Sequence, residues 1–178
     1  MTADHFLLQF EPSEMTELAA RYGPEQDEEV FEAGSCIAGG NYGRENLKVI
    51  VRWKSARKIR FIDDNTGAQI ANALRFACDA RTPERSAIET LDRLHGVGVP
   101  MASAILTTIH PGKCTVIDVR ALESLGVLKY PSGSVDYYLS YLCKCRDLAH
   151  KYRVDLRTLD RALWQWSKEH SKRKTACA

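Results

Sequence analysis

The sequence has no run of eighteen or more apolar residues, so it predicts no segment that spans a membrane. Its first residues include no basic cluster, and the apolar run at residues 6–10 is short and interrupted by Gln9, unlike a secretory signal peptide. Internal repeats and low-complexity tracts are also missing. With 178 residues, 44% of them hydrophobic, the chain can bury one core, and we expect a cytoplasmic protein, associated with the nucleoid if the source is prokaryotic.

Cysteines are too few and too scattered for a disulfide scaffold: there are six, and none is paired in a C-x-x-C pattern. Cys143 and Cys145 form the closest pair, but the neighbouring sequence offers no two further ligands at metal-binding spacing. We therefore expect buried, reduced thiols, no zinc, no iron–sulfur cluster and no cofactor of another kind.

Charge of one sign is scarce in two parts of the chain. Residues 1–32 carry nine acids and a single base, Arg21, whereas residues 44–60 carry seven bases and a single acid, Glu45. The basic stretch, called the basic stripe below, also contains Trp53. Two interpretations remain open: such runs are common as solvated faces, and clustered Lys and Arg also bind nucleic-acid phosphates.

Strand patterns are nearly absent, and most segments show the three- and four-residue apolar spacing of helices. Residues 45–55 fit both periods and are assigned to a helix, whereas residues 34–43 contain four glycines and predict a loop. The pattern predicts helices at residues 13–22, 45–55, 66–79, 83–94, 117–125, 134–150 and 155–170, and another that begins near Pro100. The predicted fold class is all-α.

Five aromatic residues lie in the last two predicted helices, and the three tyrosines among them have two competing interpretations. Tyr137, Tyr138 and Tyr141 recur at helical spacing, which is typical of a core, although exposed tyrosines in this arrangement would stack on nucleic-acid bases. Trp164 and Trp166 are interpreted as packing residues.

A glycine-containing turn separates two of the predicted helices. The first ends at Leu94, the turn is His95-Gly96-Val97-Gly98, and Pro100 lies at or near the start of the second helix. Glycine allows backbone dihedrals that other residues resist and a close approach to another surface. Free amides at the start of the second helix would bind a phosphate group. An ordinary helical hairpin is the alternative.

Asp118 lies in an apolar segment, residues 115–122, at or near the start of a helix. Most aspartates at such positions are helix caps. Helix-end amides would also keep a carboxylate there ionised with little water around it. Taken alone, the residue favours the cap.

The combination is more specific than its parts. Leu94-His95-Gly96-Val97-Gly98, followed by Pro111 and by Val116-Ile117-Asp118-Val119-Arg120, resembles the motif of the helix-hairpin-helix (HhH-GPD) DNA glycosylases. In that superfamily the catalytic aspartate follows the hairpin by about twenty residues, which makes Asp118 the candidate here. The resemblance implies one helical domain over residues 1–178, with two lobes and a cleft between them. Its helix-hairpin-helix motif spans about 84–110, and its catalytic segment spans residues 115–126.

The resemblance also implies roles for other residues. Contacts to double-stranded DNA would come from the hairpin and the basic stripe, through His95, Gly96, Val97, Gly98, Val99, Arg52, Lys54, Arg57 and Lys58. The helix at residues 47–55 would line the base pocket with Trp53, Lys54 and Ser55. A monovalent cation, Na⁺ or K⁺, would bind the backbone carbonyls of Asp92, Leu94 and Val97.

Two departures from the family pattern narrow the expected activity. Bifunctional members have a nucleophilic lysine two residues after the second hairpin glycine, where this chain has Pro100, which has no primary amine. Iron–sulfur members have four closely spaced cysteines near the C-terminus, where this chain has only Cys143, Cys145 and Cys177. We expect a monomeric, monofunctional glycosylase that flips out a damaged or modified base and leaves an abasic site. The alternative is a non-catalytic DNA-binding module.

Overall fold

The computed structural model describes residues 6–129, 131 and 133–171. Within these ranges the secondary structure is helical, and no strand is present, which confirms the predicted all-α class. The α-helices are α1 (Met15–Tyr22), α2 (Glu28–Ala38), α3 (Arg44–Ser55), α4 (Ile59–Ile62), α5 (Gly67–Cys78), α6 (Glu84–Asp92), α7 (Val99–Ile109), α8 (Val119–Glu123), α9 (Val135–Tyr152) and α10 (Leu156–His170). Short 3-10 turns at Pro12–Glu14, Pro24–Asp27 and Ala56–Lys58 precede α1, α2 and α4.

Several sequence-based boundaries differ from the structure; the helix predicted to end at Leu94, for example, ends at Asp92. The loop predicted from residue 34 begins only after Ala38, because Gly34 lies inside α2, where that helix presses against α7. A β-carbon on Gly34 would lie 2.3 Å from the backbone oxygen of Thr108, so this glycine permits a close helix–helix contact rather than a turn. The helix predicted from residue 117 begins at Val119, because Asp118 is its N-cap.

The core is centred on α7, of which every residue except Pro100 is buried. This helix packs against α2, α3 and α6, while α10 packs against α1, α8 and α9. The ambiguous segment at residues 45–55 is a helix, and Leu47, Ile50 and Val51 form its buried face. Periodic apolar burial of this kind supplies most of the stability of helices this short.

The three tyrosines of α9 belong to the core. Tyr138 and Tyr141 are 0% exposed and Tyr137 is 6% exposed, so none of them is available to stack on a base. Phe6, from the chain's apolar start, packs edge-on against Tyr137 and Tyr141. The core interpretation of these tyrosines is therefore confirmed.

The five described cysteines are free thiols, as expected, but not all are buried. Cys114 and Cys145 are buried, whereas Cys78 is half-buried and Cys36 and Cys143 are exposed, which corrects the expectation of burial for those three. Cys177 lies outside the described residues. No described helix is both long enough and apolar enough to cross a bilayer.

Candidate active site

The segment that leads into Asp118 is fixed from two sides by buried hydroxyl groups. Tyr138 and Tyr141 of α9 donate hydrogen bonds to the backbone oxygens of Thr115 and Val116, at 3.3 Å and 2.8 Å. From α7, Ser103 Oγ accepts the amide hydrogen of residue 117 at 3.1 Å. Because these contacts are buried and within hydrogen-bonding range, they position the start of α8 and the carboxylate that follows.

The two oxygens of Asp118 have different partners. Oδ1 accepts the amide hydrogens of Arg120 and Ala121, both at 2.9 Å, and so caps α8. Oδ2 lies 3.2 Å from Lys54 Nζ, which comes from α3, and the two side chains are 22% and 13% exposed. Both interpretations of the sequence are thus combined in one side chain: one oxygen is the cap, and the other forms an ion pair.

The environment keeps Asp118 ionised. Burial acts to raise the pKa of Asp118, but the Lys54 ammonium and the two backbone amide hydrogens outweigh it, so the pKa lies below its ordinary value. At neutral pH the group is therefore a carboxylate, and its side chain is mostly buried. Such a fixed charge stabilises a positive charge that develops beside it.

Asp118 and Lys54 lie in the wall of a cavity of about 240 Å³. Aromatic rings of three helices form much of the rest of that wall, and polar groups of α10 complete it. The lining residues are Tyr22, Trp53, Lys54, Val116, Asp118, Arg157, Asp160 and Trp164. A concave site with aromatic walls and a few polar groups suits a planar heterocyclic ligand.

Arg157, in the cavity wall, is held by ion pairs and by aromatic rings. Its guanidinium group contacts Asp160 and Asp27, and its central carbon lies 5.2–5.6 Å from the ring centres of Phe31, Tyr22 and Trp53. Asp27 is 2% exposed and also accepts hydrogen bonds from Tyr22 Oη at 2.9 Å and from Arg161 Nε at 2.9 Å. This network fixes one side of the cavity, since buried charges are stable only when they are paired.

A second concavity, called the groove, adjoins the cavity and shares Lys54, Asp118 and Trp164 with it. It measures about 540 Å³ and joins the hairpin to the end of α3 and the start of α8. The groove is lined by Lys54, Ser55, Arg57, Lys58, Gly96, Gly98, Pro100, Met101, Asp118, Val119, Arg120 and Trp164. Its basic residues, Lys54, Arg57, Lys58 and Arg120, are compatible with binding of a phosphate backbone.

The two glycines of the hairpin have different roles. Gly96 has a φ of +87°, and a β-carbon there would lie 2.7 Å from Phe61 Cβ, so the turn requires glycine. Gly98 has an extended backbone, and a β-carbon would meet nothing closer than 4.0 Å. The turn itself is held by Asn65, whose side chain accepts the His95 amide hydrogen at 2.8 Å and donates to the His95 oxygen at 3.0 Å.

The hairpin leaves several backbone donors unused. Among the described residues, the amides of Gly96, Gly98 and Val99 find no hydrogen-bond acceptor, whereas the Val97 amide donates to the Leu94 oxygen at 3.0 Å. Unused amides at the start of a helix favour an anion. The side chains of Val97 and Val99 are buried, so only their backbone groups can face a ligand.

The basic stripe divides into two groups. Arg44 and Lys48 form ion pairs with Asp63, at 3.2 Å and 2.7 Å, and Lys54 pairs with Asp118. Within the described part of the chain, the remaining members have no ion pair; they are Arg52, Arg57, Lys58 and Arg60. Of these four, Arg57 and Lys58 line the groove.

Several predicted positions lie apart from the cavity. Arg52 is exposed on α3 but lines neither concavity, and His95 is held by Asp64 through a 2.7 Å contact at the surface. Of the expected base-pocket residues, Trp53 and Lys54 line the cavity, whereas Ser55 lines the groove instead.

The predicted cation ligands surround the turn. Asp92 is the last residue of α6, and the Leu94 oxygen already accepts the Val97 amide hydrogen. A carbonyl oxygen has two lone pairs, so this bond leaves the Leu94 oxygen able to contact a cation as well. Among the described side chains there is no cluster of three or more His, Cys, Asp or Glu residues suited to a metal ion.

Five of the cavity residues were not assigned to the site from the sequence: Tyr22, Val116, Arg157, Asp160 and Trp164. Trp164 was interpreted as packing, and it does contact Tyr22 edge-on, but it also lines both the cavity and the groove. Arg157 and Asp160 are three residues apart on α10, and from the sequence alone this spacing looks like that of a surface ion pair.

Protein-family models, curated proteins and solved structures were compared with the chain, and none matches it.

Proposed function

We propose that the protein is a monofunctional DNA glycosylase of the helix-hairpin-helix type. It would extrude a damaged or modified base from duplex DNA, hydrolyse the N-glycosidic bond and leave an abasic site. The observation that carries the proposal is the position of Asp118, which borders both an aromatic cavity and a groove lined by the hairpin glycines and basic residues.

Rotating a nucleotide out of the stack costs on the order of a few kcal/mol, which phosphate binding must offset. The groove supports this role because it combines unpaired cations, Arg57 and Lys58, with the unused amides of Gly96 and Gly98. Backbone amides and basic side chains are the usual partners of DNA phosphates. The strand that carries the extruded nucleotide would therefore lie along the groove, with its base in the adjoining cavity.

Departure of the base leaves positive charge on the sugar. In this proposal Asp118 stabilises that charge through Oδ2 and orients the attacking water, while Oδ1 stays bound to the α8 amides. Lys54, at 3.2 Å, supplies the positive charge that keeps Asp118 ionised in the free protein. Trp53 and Tyr22 would face the extruded base across the cavity.

The proposal has further parts. It includes a two-lobed domain with the cavity and groove in the cleft, one protein molecule on each duplex, and a cytoplasmic location. It also includes a Na⁺ or K⁺ ion on the carbonyls of Asp92, Leu94 and Val97. Thermal stability measured in Na⁺ or K⁺ against a bulky organic cation tests that ion, because a ligand that binds the folded state raises the melting temperature.

The alternative, a DNA-binding module without catalysis, would need the groove and the helix cap but not an aromatic cavity beside the carboxylate. The deciding experiment incubates the protein with duplexes that contain alkylated, oxidised, deaminated or bacteriophage-type modified bases. Free base is identified by mass spectrometry under single-turnover conditions. Release of a base supports the glycosylase, whereas tight binding without release from any duplex supports the module.

A further inference from the structure

A second carboxyl group, that of Asp160, lies in the cavity wall and pairs with an arginine that it shares with another acid. Asp160 of α10 is 5% exposed, and its Oδ2 accepts a hydrogen bond from Arg157, a guanidinium that Asp27 shares. Throughout the described chain, no donor is hydrogen-bonded to Asp160 Oδ1. Because Oδ1 is not among the fully buried oxygens that lack a partner, it has some contact with solvent, and Asp160 lines the cavity, where this oxygen can meet a ligand.

The surroundings of Asp160 are charged on several sides. The groups that face it are Arg157 on its own helix, Lys54 of α3, Asp118 at the start of α8, Asp27 before α2, and Tyr141 and Cys145 of α9. Burial raises the pKa of Asp160 to about 6; Arg157 and Lys54 oppose the rise, while Asp118 and Asp27 add to it. The neutral acid is therefore the main form below about pH 6, and about a tenth of the molecules still carry it at pH 7.

Asp118 and Asp160 thus differ although they border the same cavity. Lys54 and two amide hydrogens favour the ionised form of Asp118, whereas burial favours the neutral form of Asp160. Two carboxyl groups whose environments separate their pKa values are arranged for complementary roles, one as a fixed anion and the other as a proton donor.

We propose that Asp160 is the general acid that protonates the departing base, and that the substrates are neutral purines with a basic ring nitrogen. This inference rests on the proposed glycosylase function and adds to it a residue and a substrate class.

The proposed step balances as follows. The carboxylic proton of Asp160 moves to a ring nitrogen of the base, and the electron pair of the C1′–N bond moves onto the base, which leaves as a neutral molecule. The sugar becomes a cation beside the Asp118 carboxylate. Water then adds to C1′ and releases a proton to solvent, from which Asp160 regains its own.

The substrate class follows from the charge of the leaving group. A neutral purine leaves as an anion unless it is protonated, so a proton donor in the cavity lowers the barrier. A base already methylated at N7 is cationic and leaves as a neutral molecule without help. Uracil has no basic ring nitrogen to accept the proton. The aromatic walls, which include Tyr22 and Trp53, suit the flat purine ring system.

The first test uses the unmodified protein and compares pH profiles. Single-turnover release is measured on both sides of pH 6 for duplexes with hypoxanthine or 1,N6-ethenoadenine, and for methylated DNA that carries N7-methylguanine. Spontaneous release without protein is subtracted. We expect release of the neutral purines to fall about tenfold for each pH unit above the pKa of Asp160, while release of N7-methylguanine lacks that fall.

The second test uses Asp160→Asn, with Asp155→Asn on the same helix as a control. Neutral-purine release should drop by about 10²- to 10⁴-fold in Asp160→Asn and lose its alkaline fall, while N7-methylguanine release stays within a few-fold. Melting curves identify a variant that does not fold, in which case the pH profiles of the unmodified protein decide.

The outcomes separate the two proposals. Release of uracil or N7-methylguanine without neutral purines, or equal slowing of all substrates by Asp160→Asn, overturns the role of Asp160 and leaves the glycosylase function in place. A pH-independent rate for neutral purines also overturns it. No release of any base overturns the glycosylase function and this inference together.

Discussion

Replacing Asp118 by asparagine tests the roles of its two carboxylate oxygens separately. The asparagine oxygen can keep both amide hydrogen bonds of the α8 cap, so the shape of the helix start is retained. The change removes the negative charge and sets an amide N–H₂ group 3.2 Å from the Lys54 ammonium. Asp118→Asn therefore tests the charge rather than the cap.

The expected magnitudes differ for rate and stability. Removing one group that is positioned to stabilise the transition-state charge lowers the catalytic rate about 10²- to 10³-fold, or raises the barrier by roughly 2.7–4 kcal/mol. Loss of the Lys54 partner adds a stability cost of about 1–3 kcal/mol, since a largely buried ammonium is left without its acceptor. For a domain of this size each kcal/mol lowers the melting temperature by about 2–4 °C, so the assay must run well below the transition.

Asp155 provides a matched control. It is the N-cap of α10, where its Oδ1 accepts the Thr158 amide hydrogen at 2.8 Å, and it is exposed and borders neither concavity. Asp155→Asn makes the same chemical change at the same kind of position, with an expected stability change well under ~1 kcal/mol and unchanged base release.

The assay is single-turnover base release from a duplex that the unmodified protein processes, together with DNA binding at matched salt. We expect Asp118→Asn to bind DNA at least as tightly as the unmodified protein, because an anion near the phosphates has been removed. If the rate of base release by Asp118→Asn were within about threefold of the rate of Asp155→Asn, the carboxylate would be a helix cap only, and its proposed catalytic role would be refuted.

Other predictions concern the hairpin, the amines and the buried network. Gly98→Ala should fold normally and weaken duplex binding, whereas Gly96→Ala should lower the melting temperature; unchanged affinity of a folded Gly98→Ala would remove the hairpin from the DNA interface. Borohydride should trap no protein–DNA adduct, and an adduct that Lys54→Met abolished would show an amine nucleophile instead. Asp27→Asn should destabilise the protein by about 3–5 kcal/mol in urea unfolding, because it leaves two guanidinium groups without their shared acceptor. Glu17→Gln, which breaks an exposed pair, should cost less than ~1 kcal/mol, and equal losses for both variants would contradict the importance of burial.

Helix content was predictable because apolar periodicity reports directly on which face is buried. The helix at residues 45–55 shows this, since Leu47, Ile50 and Val51 mark its buried side. Gly34 was wrongly assigned to a loop because the sequence does not distinguish a glycine at a helix–helix contact from a glycine in a loop. Only the distance to α7 distinguishes them.

The site residues that are near one another in sequence could be predicted, whereas contacts between residues distant in sequence could not. The hairpin and Asp118 lie within one short stretch, so their motif was visible. The Lys54–Asp118 pair joins residues 64 positions apart, and Asp27 meets Arg157 across 130 positions. Asp27 also belongs to an acid-rich stretch that predicts solvent exposure, and no local pattern shows which acid of such a stretch is buried.

The shortness of α8 has a consequence for how the site assembles. This helix spans only Val119–Glu123, too few residues to persist alone, and α10 holds its end: Ser124 Oγ donates to the Leu163 oxygen and Ser167 Oγ to Glu123 Oε2. The same α10 carries Trp164, Arg157 and Asp160 into the cavity. One helix thus both supports the end of α8 and supplies three cavity residues, so we expect a chain shortened before α10 to lose the support of α8 and that part of the cavity wall together.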